Sequence, residues 1–136
     1  MICAKKILAL SPHTDDIELG CGATLARFSE NGSSVHVVNF SRSKNHDDDD
    51  GVQVADEFKK SMSVLGFNYD MLDLPTRRLQ EYRQDILDFL CKMNDDYDLV
   101  LCHSSYDQHQ DHQTVQQEAF RAFKHKTILG YELPWN

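Results

Sequence analysis

Two short stretches concentrate the residue types that hold metal ions and move protons. The first is Ser11-Pro12-His13-Thr14-Asp15-Asp16 and the second is Asp107-Gln108-His109-Gln110-Asp111-His112. Two imidazoles and one carboxylate make a three-ligand zinc site whose fourth position stays open to water. His13 and Asp16 lie three residues apart, so a turn that starts a helix can aim both at one point. His112 then supplies the third ligand from the second stretch. An ion held this way lowers the pKa of water towards ~7 and polarises a carbonyl, which is the chemistry of hydrolysis. Asp15 adjoins a ligand but points differently, which leaves it free to act as a base. Each piece alone has an ordinary explanation. A histidine near a strand end is more often structural, and an Asp-Asp pair before a helix is usually a cap favoured by the helix dipole. Two His/Asp clusters at two strand ends are not explained in that way.

The elements that must position these stretches alternate between strand and helix. Ile7 to Leu10 is a short apolar run that reads as a buried strand. Ile17 to Asn31 reads as a helix with Gly32 as its C-terminal cap. Val35 to Phe40 is a second strand, and Ser41 to Asp50 is a polar, acidic loop. Val52 to Leu65 is a helix whose Val54, Phe58, Ser61, Met62 and Leu65 share one face, and Gly66 follows it. Tyr69 to Leu74 is a third strand, stopped by Pro75. Leu79, Tyr82, Ile86, Phe89, Leu90 and Met93 mark the third helix. Leu99 to Cys102 is the fourth strand, Gln110 to Phe123 the fourth helix and Thr127 to Tyr131 the fifth strand.

Five strands separated by helices imply an α/β fold: a Rossmann-like, three-layer αβα sandwich around a mainly parallel sheet. Ligands of such sheets bind outside the carboxyl ends of the strands, where the strand order reverses. Both chemical stretches directly follow strands, the first and the fourth. They become neighbours if the order is 3-2-1-4-5, so the motifs themselves select that order over 2-1-3-4-5.

Composition narrows the functional classes. The chain has 136 residues, 40% hydrophobic and 26% charged, which suits a single domain spanning 1–136. A domain of this size buries roughly two thirds of its unfolded surface, so it can hold a core without disulfides. The net charge of −8 argues against nucleic acid as a partner. Part of the excess sits in Asp47 to Asp50, read as a solvated loop, with a weak second cation site as the sharper alternative. The four cysteines form no CxxC pair and read as free thiols in a reducing compartment. The apolar start, Met1 to Leu10, is too short for a signal peptide or a membrane span, so the expected location is the cytoplasm.

Pro12-His13-Thr14-Asp15-Asp16-Ile17-Glu18-Leu19-Gly20-Cys21-Gly22 resembles the signature of the LmbE-like deacetylases, also called the PIG-L family. Asp107 to His112, continued by Gln113-Thr114-Val115, resembles that family's second signature. The likeness runs over nearly the whole chain, through Glu57 and the Leu65-Gly66 that ends the second helix. It implies a Rossmann-like fold and zinc-dependent removal of acetyl groups from N-acetylglucosamine units in sugars, sugar nucleotides or glycoconjugates. It also implies that His13, Asp16 and His112 hold the zinc and that Asp15 is the general base. His109 would stabilise the oxyanion or protonate the leaving amine, and Asp111 would orient a histidine.

The chain departs from the family pattern in three places. Ala23 replaces a common glycine and Gln110 a common proline. The sequence also stops at Trp135-Asn136, where members usually continue for many tens of residues, so part of the pocket wall is expected to be missing. An incomplete sheet edge would favour a homo-oligomer. Among the remaining candidates, His103 either lines the pocket or serves loop structure. His36, His46 and His125 read as non-functional, Cys21 as a helix-packing residue, and Trp135 as a pocket aromatic or a frayed end. Two rival functions are a non-catalytic zinc-binding domain and a nucleotide-binding module. The second rests on Gly20-Cys21-Gly22 opening a helix, but Leu25 occupies the place of the third glycine of GxGxxG.

Overall fold

Strand β1 (Lys6–Ser11) is the middle of the molecule because five of its six residues are buried, on both faces. A computed structural model of the chain describes residues 3–43 and 51–134. The acidic run Asp47 to Asp50, His46 and Trp135 lie outside the described residues. The other strands are β2 (Ser34–Asn39), β3 (Asn68–Met71), β4 (Leu99–His103) and β5 (Thr127–Tyr131). They form one sheet of order β3-β2-β1-β4-β5, with every pairing parallel. This is the order the two motifs require.

Alternation along the strands sorts the core into two layers. Leu8, Leu10, Val38, Val100 and Cys102 face helices α4 (Arg83–Lys92) and α5 (Gln110–Ala122), where Ile86, Leu90, Val115 and Phe123 cover them. Ile7, Ala9, Val35, Val37, Leu99 and Leu101 face the opposite way. Ile17 of α1 (Asp16–Gly20), Leu25 of α2 (Gly22–Glu30), and Phe58 and Met62 of α3 (Val52–Leu65) cover that side. Among the described residues no helix is long and apolar enough to cross a membrane.

The single helix expected over Ile17 to Asn31 is two helices, divided at Cys21, whose φ of −147° is not helical. Gly20 and Gly22 flank the break, and glycine lowers the cost of leaving the helix. Ile17, Cys21 and Leu25 stay buried in one layer across it, so the apolar spacing shows no interruption. The third expected helix opens with a 3-10 turn over Leu79–Tyr82. Strand β3 is shorter than expected because it is an edge with three exposed residues. The Leu72 and Leu74 amides still donate to the Asn39 and Phe40 carbonyls, which prolongs the pairing to the expected end. Helix α3 matches its expected bounds, and Gly66 ends it at φ 71°, a conformation that favours glycine.

Candidate active site

The loops after β1 and β4 meet beside the strand-order reversal, and three side chains converge there. His13 Nδ1 lies 3.1 Å from His112 Nε2 and 3.5 Å from Asp16 Oδ2. His112 Nε2 lies 3.4 Å from Asp16 Oδ1. Zinc ligands at about 2.0–2.1 Å from a tetrahedral ion stand roughly 3.3 Å from one another. The three side chains therefore approach one another at the spacing of one metal's donors, with Asp16 turning Oδ2 to His13 and Oδ1 to His112.

The outer nitrogens of both imidazoles are held by carboxylates. His13 Nε2 donates to Asp111 Oδ2 at 2.9 Å and His112 Nδ1 donates to Asp107 Oδ2 at 2.9 Å. Each ring is thereby turned so that its other nitrogen faces the common point, the carboxylate–histidine–metal arrangement. Asp111, expected to orient a histidine, lies against His13. Asp107 is a second such carboxylate, to which the sequence reading gave no role although it begins the second motif.

Burial and neighbours set the protonation states. Burial lowers the His13 pKa, but the Asp111 and Asp16 carboxylates outweigh it and raise the value to about 9. Burial lowers that of His112 to about 4. Burial pushes Asp16 upward, yet the surrounding His103, His13 and His112 imidazoles hold it well below the usual carboxylate range. In the metal-free protein a proton on His13 thus stands where the cation would lie. The donor set, two imidazoles and an ionised carboxylate, fits zinc.

Above the convergence opens a cleft of about 620 Å³, lined among others by His13, Asp15, Glu18, Glu57, Arg77 and His109. Asp15 occupies the N-cap position of α1 but makes no side-chain capping bond, and it is exposed. The ordinary explanation of this aspartate as a cap does not hold. His109 is the N-cap of α5, and its Nδ1 accepts from the Asp111 amide at 3.1 Å. The ring proton is therefore on Nε2. Burial and the His13 charge lower the His109 pKa, so the ring is neutral near pH 7 and acts there as a hydrogen-bond donor.

Arg77 is a cleft residue that the sequence gave no reason to select. Its φ is 65°, a left-handed conformation unusual for a residue with a side chain and typical of functional sites. Asp111 enforces it, accepting from the Arg77 amide at 2.6 Å and the Leu79 amide at 3.1 Å. The Gln110 side-chain amide donates to the Arg77 carbonyl, which gives the residue found in place of proline a task. No local pattern signals this, because the contacts span more than thirty positions of sequence.

His103, expected at the pocket or in the loop, is the last residue of β4, 1% exposed, and lies against Asp16 and His112. His36 pairs with Asp70 at 3.0 Å, away from the cleft, and His125 is exposed. Cys21 is buried among apolar neighbours, as expected of a packing residue. Gly20 packs against the Tyr131 ring, where an added Cβ would lie 2.4 Å from Cδ2. Tyr131 is buried and tied to the Leu10 carbonyl, so it cannot swing away. Gly20→Ala is expected to destabilise the chain by about 1–3 kcal/mol. Urea unfolding measures this, and an unchanged midpoint would contradict the packing described.

The sequence matches the profile of the family described as GlcNAc-PI de-N-acetylase, PIG-L, over residues 8–123. The chain belongs to the PIG-L family. A relative from Escherichia coli (strain K12), named uncharacterized deacetylase YaiS, is 31% identical over 139 residues, covering 96% of this chain and 75% of its own. Among solved structures, the N,N'-diacetylchitobiose deacetylase of Pyrococcus horikoshii superposes with a TM-score of 0.78 at 22% identity. That match covers 96% of this chain and 61% of the other. The zinc-inhibited form of teicoplanin deacetylase Orf2 superposes with a TM-score of 0.76 at 18% identity, over 90% of this chain and 65% of the other. This PIG-L chain thus spans just over three fifths of the length of those solved structures, and at such identity they show the shared fold.

Proposed function

We propose that this PIG-L chain is a metal-dependent N-deacetylase that hydrolyses the acetamide of an N-acetylated amino sugar within a larger molecule. The observation that carries the reading is the convergence of His13 Nδ1, Asp16 and His112 Nε2 at one metal's donor spacing, directly under the cleft that holds Asp15 and His109. The deacetylase name of the Escherichia coli relative supports the reaction class. His13, Asp16 and His112 would hold zinc, which when bound polarises the acetamide carbonyl and makes water acidic.

The chain's own groups account for the proton movements. Asp15 takes a proton from the attacking water as its oxygen bonds to the acetamide carbon. His109 Nε2–H donates to the carbonyl oxygen as negative charge grows there, which is usually a large catalytic contribution. Because His109 is neutral near pH 7, the proton that leaves with the amine comes from Asp15. The C–N bond then breaks, giving acetate and a free amine. Arg77 lines the cleft, where its guanidinium would hold sugar hydroxyls.

Elemental analysis of the purified chain, followed by acetate release from N-acetylglucosamine derivatives, tests this. About one zinc per chain and acetate release that disappears with a chelator are expected. Zinc without acetate release would favour the non-catalytic zinc-binding reading. A folded sample that takes up no zinc on reconstitution would end the metal assignment.

A further inference from the structure

His103 is an imidazole at the metal centre that no step of the proposed reaction uses. Its Nδ1 lies 3.1 Å from Asp107 Oδ2 and its Nε2 3.4 Å from Asp16 Oδ2. Neither nitrogen is aligned for a hydrogen bond, although the residue is 1% exposed. A buried imidazole whose contacts with two carboxylates are both misaligned for hydrogen bonding calls for a reason.

The faces of the ring supply it. His103 stacks on His112 with centroids 3.7 Å apart and planes 12° from parallel. It also packs on Tyr131, at 4.3 Å and 48°. His112 in turn stacks on His109, at 4.4 Å and 27°. Tyr131, His103, His112 and His109 thus form a column of rings running from the core to the cleft. Its foot is fixed, because the Tyr131 hydroxyl donates to the Leu10 carbonyl at 2.8 Å and Gly20 leaves room for the ring.

We propose that His103 is a positioning residue of the metal centre, acting through the face of its ring: it holds the His112 imidazole in the plane where Nδ1 meets Asp107 and Nε2 meets the ion. The inference rests on the reading that His112 is a metal ligand. Direct ligation by His103 is disfavoured by the stack itself. Asp16, His103 and His112 bring donor atoms within 4.8 Å of one another, but the two rings lie 12° from parallel with Nδ1 of each against Asp107 Oδ2 and Nε2 towards Asp16, an orientation that aims the two Nε2 atoms alongside each other rather than at one ion. Without the ring below it, His112 can tilt, and a tilted ligand binds more weakly.

The test is zinc affinity of the full chain, measured by competition with a chelating dye, in His103→Ala, His103→Asn and His103→Phe. Phenylalanine keeps a flat ring and turns its electropositive edge to the two carboxylates. The alanine and asparagine variants are expected to bind zinc ~10–100-fold more weakly, with unchanged circular dichroism. The phenylalanine variant is expected to recover most of that loss and to keep the wild-type absorption spectrum with cobalt(II). A residue that merely fills space would change thermal stability and leave zinc affinity alone. Wild-type affinity in His103→Ala would therefore overturn the proposal. So would a phenylalanine variant as weak as alanine or with an altered cobalt spectrum, since the nitrogens would then be the working part. If the alanine variant does not fold, asparagine against phenylalanine makes the same comparison. His112→Ala separates the two levels: if it keeps zinc, the ligand reading fails and the inference fails with it.

Discussion

Asp15→Ala is expected to slow acetate release by ~10²–10⁴-fold, the range of a lost general base, while zinc content stays at the wild-type level. Asp15 and Asp16 are adjacent, but the fold gives them opposite surroundings. Asp16 is 2% exposed, accepts from the His13 amide at 2.8 Å and faces the imidazoles. Asp15 is exposed and lines the cleft with no capping bond to hold it. On the proposed reading its removal would therefore leave the metal donors in place and take away the proton acceptor. Stability provides a control. Losing a working N-cap would cost about 1 kcal/mol, and none is expected here because the side chain caps nothing. A rate within about twofold of wild type would remove Asp15 from the role of base. Zinc loss together with activity would assign it to the metal site.

Asp16→Ala is expected to abolish zinc binding, taking metal content from about one per chain to none. It would remove the one anionic donor of the proposed site, and it removes the acceptor that pins the His13 backbone. A pH effect accompanies the metal. His13 in the metal-free protein carries a proton to about pH 9, and an ion can bind its Nδ1 only as that proton leaves. Zinc affinity should therefore rise about tenfold per pH unit as pH approaches 9 from below, then level off. His112, held down to about 4 by burial, is already neutral in that range and releases nothing. Calorimetry at pH 7 in two buffers of different ionisation enthalpy should find about one proton released per zinc. Zero release would contradict the His13–Asp111–Asp16 arrangement. The folded chain's stability has the opposite dependence at two histidines. His13, raised, contributes stability below pH 6.5 that is lost as pH rises through about 9. His112, lowered, contributes stability above pH 6.5 that is lost as pH falls towards about 4. Asp16, also lowered, contributes stability above pH 3.8 that is lost only as pH falls further through its folded value.

The sequence by itself determined the order of elements, because apolar spacing reports which side of each segment is buried. Ile7 to Leu10 and Leu99 to Cys102 read as buried strands and are, and α3 was legible to the residue. It determined the strand order too, because two donor-rich loops can share one ion only where the order reverses. It also supplied the donor types, since imidazole and carboxylate chemistry does not depend on the fold. Periodicity carried no trace of the break at Cys21, because Ile17, Cys21 and Leu25 stay on one buried face through it. Tertiary structure alone decided which atom faces which. His13 meets Asp111 across 98 positions, and Asp111 meets the Arg77 amide across 34. Such pairings fix the His13 ring and its protonation and the strained Arg77 backbone. Placing His103 under His112 required β4, β5 and α5 to pack together. Local pattern records burial along a segment, whereas the His13 ring and the His103–His112 stack are set by contacts between segments that only the fold brings together.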